Sequence, residues 1–423
     1  MGLKRRPVAA RICYNVRRVR EVQDTVWRHE LGQACPRMVR PADVSIRRNS
    51  VAAAGVLLAY SCMAFPDALG VIASRLWLAG IASSLVFAWF ALFAIPSGLL
   101  CDCFGSRRVA VFSLVGTLLA FALLVLGGDG SWVAAAGLAV AGAANVALQV
   151  VLPSRAVELF GVSRQASVLT LGLFVKMLFA MTIPFAIAAF AHVGDWRLFF
   201  PAFGAVLSVA AALMWFGGTQ TSACPKRGSA SLAGVIEVVR DVPTGLAALS
   251  FAVGIIADVA FNLSVPDAVH LRFGMGDAAV GTVYAVLFGM KLPVTLLGAW
   301  LFARCDARRF FPASIAIAAL GMFALMSAEG LFAYLVGVAL FAAGYANVYG
   351  FVYAVAAPRH APDRAASVAA LLTMSIAGGA LASPLIAAMS CFGCRSAEVL
   401  SAAATAILLL LVAFTNCLSR RCA

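Results

Sequence analysis

Beyond residue 49 the sequence is a succession of apolar stretches, each about 20 residues long, parted by short polar connections. A helix rises about 1.5 Å per residue, so each stretch is long enough to cross the roughly 30 Å hydrocarbon layer of a bilayer. Barrel strands are excluded, because the stretches lack an alternating pattern and a helix satisfies its own backbone where water is absent. Twelve spans are expected, at about 50–73, 77–101, 109–127, 132–154, 166–191, 198–216, 244–268, 279–302, 310–328, 331–355, 366–390 and 397–417. Composition agrees: 63% of the 423 residues are hydrophobic and 12% are charged, about half the charged share of a soluble domain. The expected fold class is all-α and integral to the membrane.

An even number of spans puts both ends of the region on one side. Arg107, Arg108, Arg155, Arg164, Lys226, Arg227, Arg240, Arg304, Arg308, Arg309, Arg359, Arg364, Arg420 and Arg421 fall on one set of connections and the final tail. The opposite set holds Arg75, Arg197, Arg272 and Arg395. Positive charge resists translocation, so the first set is expected in the cytoplasm, with both termini, for a protein of the cell (inner or plasma) membrane. The net charge of +14 is mostly this topology and gives no reason to expect a nucleic-acid partner.

Residues 1–48 are rich in arginine and lack the apolar core of a secretory leader. Three readings stand: an amphipathic segment on anionic lipid, a transit peptide, or an extension upstream of a start at Met38. The eleven cysteines form no evenly spaced framework. Cys391 and Cys394 make a C-x-x-C on the outer side, where a disulfide is feasible, but a lone C-x-x-C is a weak mark of redox or metal chemistry. No cofactor or metal is expected.

The chain repeats itself at a shift near 200. "FPDA" at Phe65–Ala68 returns as "VPDA" at Val265–Ala268, and "RQASVLTL" from Arg164 as "RAASVAAL" from Arg364. Pro184 matches Pro384, Gly98 matches Gly298, and "ANV" at Ala144–Val146 returns at Ala346–Val348. Two six-helix halves follow, at 49–216 and 244–417, joined by a polar loop at 217–243 and ending in a tail at 418–423. Parallel halves of this kind mark transporters that rock one half against the other.

Between the second and third stretches stands "GLLCDCFGSRR", which resembles the loop motif G-x-x-x-D-[RK]-x-G-[RK]-[RK]-[RK] of the major facilitator superfamily. Gly98, Asp102, Gly105, Arg107 and Arg108 match it, while Cys103 and Ser106 stand where basic residues are usual. "GDWRLFF" at Gly194–Phe200 is similar to the G-W-R-x-x-F often found entering the sixth helix. The resemblance covers about residues 49 to 417 and implies twelve helices in two pseudo-symmetric bundles working by alternating access. It implies a cytoplasmic latch at the matching residues. Asp102 would meet a helix N-terminus of the other half, and the arginines acids such as Glu158. Gly98 would permit a close helix approach and Gly105 a tight turn. Arg107 and Arg108 read equally well as topology signals alone. The second half keeps Gly298, Arg308 and Arg309 without the ordered Asp and Gly, so a weaker latch is expected there.

Polar groups inside a bilayer are costly and mark candidate sites. Lys176 and Lys291 fall near the midplane, one in each half. Asp258 falls on its outer side, and Asp67 and Asp267 nearer the outer ends, where the Pro-Asp pairs read first as caps or kinks. Phe341, Tyr345, Tyr349 and Tyr353 share one helical face that the first half lacks, a stripe readable as packing or as substrate surface. Asn145 and Asn347 occupy equivalent places and suit either substrate contact or helix–helix bonding.

No H-E-x-x-H, nucleophile elbow or phosphate-binding glycine loop occurs, so an enzyme is not expected. A monomeric secondary transporter fits best. Its substrate is read as a small organic anion held by Lys176 and Lys291, because two midplane cations would repel unless something neutralised them. Asn145, Asn347, Tyr345 and Tyr349 complete the expected site. Protons are the expected energy source, with Asp258 as carrier, since burial favours the neutral form of a carboxyl. Alternatives are an uncharged sugar, nucleoside or drug-like solute, a structural Lys291–Asp258 pair, and a receptor-like homologue that no longer transports.

Overall fold

The computed structural model describes residues 46–421 apart from 77, 79, 129–130, 161–164, 218–231, 303–306, 357–358, 361–364, 390–392 and 394. Among these residues twelve helices are long and apolar enough to cross a membrane: α1 (Ser50–Arg75), α2 (Ala82–Cys101), α3 (Ser106–Gly127), α4 (Trp132–Pro153), α5 (Leu171–Val193), α6 (Trp196–Phe216), α7 (Val242–Arg272), α8 (Asp277–Gly298), α9 (Phe310–Ser327), α10 (Leu331–Val352), α11 (Ser367–Ala388) and α12 (Ser396–Thr415). The chain is a multi-pass membrane protein with no strand among the described residues. The readings of the N-terminal segment and of Cys391 and Cys394 lie outside the described residues. A short helix, Leu232–Val239, occupies the connection between the halves. The last helix continues to Arg421, so the described part of the expected separate tail is helical.

Local chemistry sets the ends. The helix of α2 runs on past the span to Phe104, and Gly105, at φ +83°, closes it and opens α3, so the two helices are joined by a single residue whose backbone region favours glycine. Asp241 caps α7 by accepting from the Thr244 backbone N–H at 3.3 Å, with Pro243 in the first turn. Within each half the third and fourth helices pack through small residues. Gly137 sits against the Ala120 carbonyl, and Gly337 against the backbone of Gly321 and Leu325. Backbones that come this close gain van der Waals contact that lipid cannot supply.

Three spans are broken. Helix α1 tightens into 3₁₀ turns over Tyr60–Ala64 and Pro66–Ala68, because Pro66 has no N–H to give the Cys62 carbonyl. Asn145 of α4 donates to that carbonyl instead, at 3.3 Å. Helix α11 is 3₁₀ over Ile376–Leu381, around Gly378 and Gly379. Helix α10 breaks at Ala346–Asn347, between Leu331–Tyr345 and Val348–Ala356. Continuous segments cross in α4 and α5, so the sequence repeat is not a repeat of the breaks.

We call the face holding the α1–α2 connection distal, and the one where α1 begins terminal. The halves are joined on the distal side. Ser83 and Ser383 exchange backbone N–H to hydroxyl bonds of 3.2 and 2.8 Å, and Ser84 donates to the Ala380 carbonyl at 2.6 Å. Gly70 of α1 lies against the Asn262 carbonyl of α7, where any side chain would overlap. Arg75 at the end of α1 pairs with Asp277 at the start of α8.

Candidate functional site

The charged side chains inside the bundle come together as two ion pairs. Lys176 Nζ of α5 lies 3.0 Å from Asp67 Oδ2 of α1, and Lys291 Nζ of α8 lies 2.7 Å from Asp258 Oδ1 of α7. Each pair is contained in one half. The pairs are neighbours across the interface, because Asp67 feels the charges of Lys291 and Asp258 as well as that of Lys176. The Lys291–Asp258 pair is the drier, with side chains 8% and 17% exposed against 21% and 20% for the other.

The lysines are therefore not bare cations: the protein supplies an aspartate to each, Asp258 to Lys291 as the structural-pair alternative has it, and Asp67 to Lys176, which the sequence reading does not foresee. In sequence Asp67 reads as a cap or kink. Position along the helix concealed this, since the 3₁₀ segment of α1 re-aims the residues that follow it. Its repeat partner Asp267 is exposed near the distal end of α7. The pairs are unrelated by the repeat, for Leu58 and Ala91 stand where a first-half copy of Asp258 and Lys291 would be.

Aromatic rings line the second pair. Lys291 Nζ sits 5.3 Å from the ring centres of both Tyr345 and Phe288, in range of a cation–π interaction. The stripe on α10 has two functions. Phe341 is fully buried and packs at a tilt against Phe261 of α7, with ring centres 5.0 Å apart, whereas Tyr349, beyond the break, is 51% exposed and meets Phe251 edge-on at 5.5 Å. The side chain of Tyr353 lies outside the described residues. Both asparagines bond between helices through the amide nitrogen, while the Asn145 Oδ1 is buried with no partner among the described residues. Asn145 holds the Cys62 carbonyl and Asn347 the Val294 carbonyl of α8 at 3.1 Å.

The loop motif divides. Arg107 lies over the Trp215 ring at 5.6 Å, with Arg108 and Arg155 as charged neighbours, and Arg108 is exposed. The side chains of Asp102 and Glu158 lie outside the described residues. Gly98 makes no close approach, since nothing lies within 4 Å of a Cβ placed there. The expected approach occurs instead at its repeat partner Gly298, which the Asn347 amide overlies so closely that a methyl group would overlap it.

Sequence reasoning passed over Tyr60. It lies in the first 3₁₀ turn of α1, 2% exposed, with its ring against Gly172 of α5 and its hydroxyl without a partner. Only its place seven residues before Asp67, on the same side of a helix, pointed to it.

This arrangement of helices has known counterparts. A bacterial homologue of the human lysosomal transporter Spinster, in an inward-facing and unoccupied conformation, matches with a TM-score of 0.68 at 15% identity, over 89% of this chain and 98% of that one. The E. coli fucose:proton symporter matches with a TM-score of 0.62 at 15% identity, over 88% and 99%. The chain has the major facilitator superfamily fold. The fucose symporter's structure in the outward conformation matches with a TM-score of 0.61. No family model matches the sequence, and no curated protein does.

Proposed function

We propose that the chain is a proton-coupled secondary transporter of a small organic anion, working by alternating access, with its terminal face in the cytoplasm. The observation that carries this reading is the meeting of two largely buried lysine–aspartate pairs, one from each half and each still reached by some water, where the halves abut. Buried ions are expensive, and a pair held inside one half is not needed to bind the halves together. Such pairs suit a site that changes charge. Taken up on Asp258, a proton cancels the carboxylate and releases the Lys291 ammonium to a substrate carboxylate. The site is neutral when empty, carries one positive charge when protonated, and is neutral again when the anion arrives. Neither ion then crosses favourably alone, which is coupling.

This replaces repulsion between bare lysines as the reason for an anion. The fold shared with a fucose:proton symporter supports proton use, and the neutrality of the empty site favours an uncharged solute as the second reading. Uptake into proteoliposomes, with and without an inward proton gradient, separates the two across a panel of carboxylates, sugars and nucleosides. Accumulation of a carboxylate that needs the gradient in wild type, and loses that need in Asp258→Asn, is the expected result. Gradient-driven uptake that survives in Asp258→Asn removes Asp258 as carrier.

A further inference from the structure

Three buried tyrosine hydroxyls have no hydrogen-bond partner among the described residues, Tyr60, Tyr334 and Tyr345, and the first and last of them stand beside the ion pairs. Tyr60 and Tyr345 are 2% and 7% exposed, and neither oxygen has a hydrogen-bond partner among the described residues. A buried donor left unmade is a rare and costly feature, more so inside a bilayer. Each lies against a helical glycine, Tyr60 by its ring and Tyr345 by its hydroxyl end. A Cβ at Gly172 would stand 2.6 Å from the Tyr60 ring, and one at Gly254 would stand 3.3 Å from the Tyr345 hydroxyl. One helical turn beyond each glycine, on the same face, is a member of an ion pair: Lys176 after Gly172 and Asp258 after Gly254. Each half therefore presents a glycine seat, a tyrosine and a lysine–aspartate pair in one row. The repeat does not produce this match, because Tyr60 is on the first helix of its half and Tyr345 on the fourth.

We infer that Tyr60 and Tyr345 are paired substrate-binding donors, whose hydroxyls are satisfied by polar groups of the solute when the halves close on it. The inference rests on the transporter reading above and narrows its substrate to a compact solute with acceptor groups at two ends, such as a hydroxy- or oxo-carboxylate. Tyr345 would serve the carboxylate beside Lys291. Tyr60 would serve the far end, and Gly172 is a positioning residue for its ring.

Removing only the hydroxyl tests this. The purified protein is first screened by thermal shift against hydroxy- and oxo-carboxylates, simple monocarboxylates, sugars and nucleosides, and the compound that most stabilises wild type becomes the probe. Tyr60→Phe and Tyr345→Phe are expected to keep or raise the ligand-free Tm, because each removes an orphan donor, while weakening probe binding about tenfold or more. Gly172→Ala should weaken binding by displacing the ring, with the protein still folded. A probe that binds both Phe variants as tightly as wild type overturns the inference and leaves the transporter reading standing. A sugar probe whose binding falls in both variants upholds the tyrosines and overturns the anion. No shift with any compound counts against both.

Discussion

Lys291 is a cation that tertiary structure makes tolerable. Its ammonium meets Asp258 at 2.7 Å and two aromatic faces at 5.3 Å, so countercharge and ring electrons replace water. Removing one partner of such a pair leaves a buried charge unmatched, which costs about 3–5 kcal/mol, whereas removing both leaves no charge behind. Lys291→Gln should accordingly lower the Tm in detergent sharply, and Asp258→Asn added to it should restore most of the loss. A Lys176→Gln change should cost less, because water still reaches a fifth of that side chain. Equal losses at both lysines, with no rescue, would show that the pairs do not act as pairs.

At the scale of elements, the start of α7 is stapled to the α10–α11 connection. Arg359 donates twice to Asp241, Nε at 2.7 Å and Nη2 at 3.1 Å, and the Thr244 hydroxyl donates to the same carboxylate at 2.6 Å while lying 3.0 Å from His360 Nε2. Burial works against the charge on Asp241, but the hydrogen bonds from Arg359 and Thr244 outweigh it and hold the carboxyl below the usual carboxylate range. A group lowered on folding stabilises the fold fully above its unfolded value of about 3.9, and that contribution fades as pH falls through the lower folded value. Asp241→Asn should cost about 1–2 kcal/mol at neutral pH, allowing for the site's partial exposure. Unfolding measured as a function of pH should show the difference from wild type level above about pH 5 and shrinking below it. A difference independent of pH down to 2 would contradict the staple.

Across the whole molecule, the distal face is where the halves hold one another. Asp277 joins Arg75 of the first half to His270 of its own, whose Nε2 lies 3.3 Å from Asp277 Oδ1. Opening that face would part Arg75 from Asp277 and Ser83 from Ser383. A part-exposed ion pair is worth about 1 kcal/mol, so Arg75→Ala should favour the distally open form about fivefold. Labelling of a cysteine introduced at Ser83, which is fully buried where the halves meet on that face, should then quicken by a similar factor; an unchanged rate would show that Arg75 does not hold the face shut. Arg272 and Arg395 serve the same side differently, converging on Glu398 and on the last carbonyls of α9. Arg75, Arg272 and Arg395, on the expected outer side, are thus held by acids and carbonyls. For the orientation itself, labelling from outside intact cells should reach cysteines placed in Gly127–Ser131 and Ser327–Gly330 and miss one at Arg107.

How much could be read without coordinates follows from the range of each interaction. Span number, all-helical class and the two halves were legible because they depend on quantities that add along the chain: the apolar length needed to cross a bilayer, and a repeat at nearly one shift. Lys176, Lys291 and Asp258 were legible as exceptions, for a charge inside an apolar run needs a reason wherever it ends up. The Lys291–Asp258 pair was among the alternatives the sequence offered, but the partner of Lys176 was not. Asp67 comes to Lys176 from 109 positions away, after a proline-induced 3₁₀ segment has turned α1 by an amount no periodicity encodes. Gly98 and Gly298 read alike in sequence, yet only the second lies under a neighbouring side chain, because close approach belongs to two helices at once. Tyr60 and Tyr345 share no repeat position. Only the packing of α1 on α5 and of α10 on α7 sets each against a helical glycine, since burial and an unmet hydrogen bond are properties of surroundings that the chain creates only when folded.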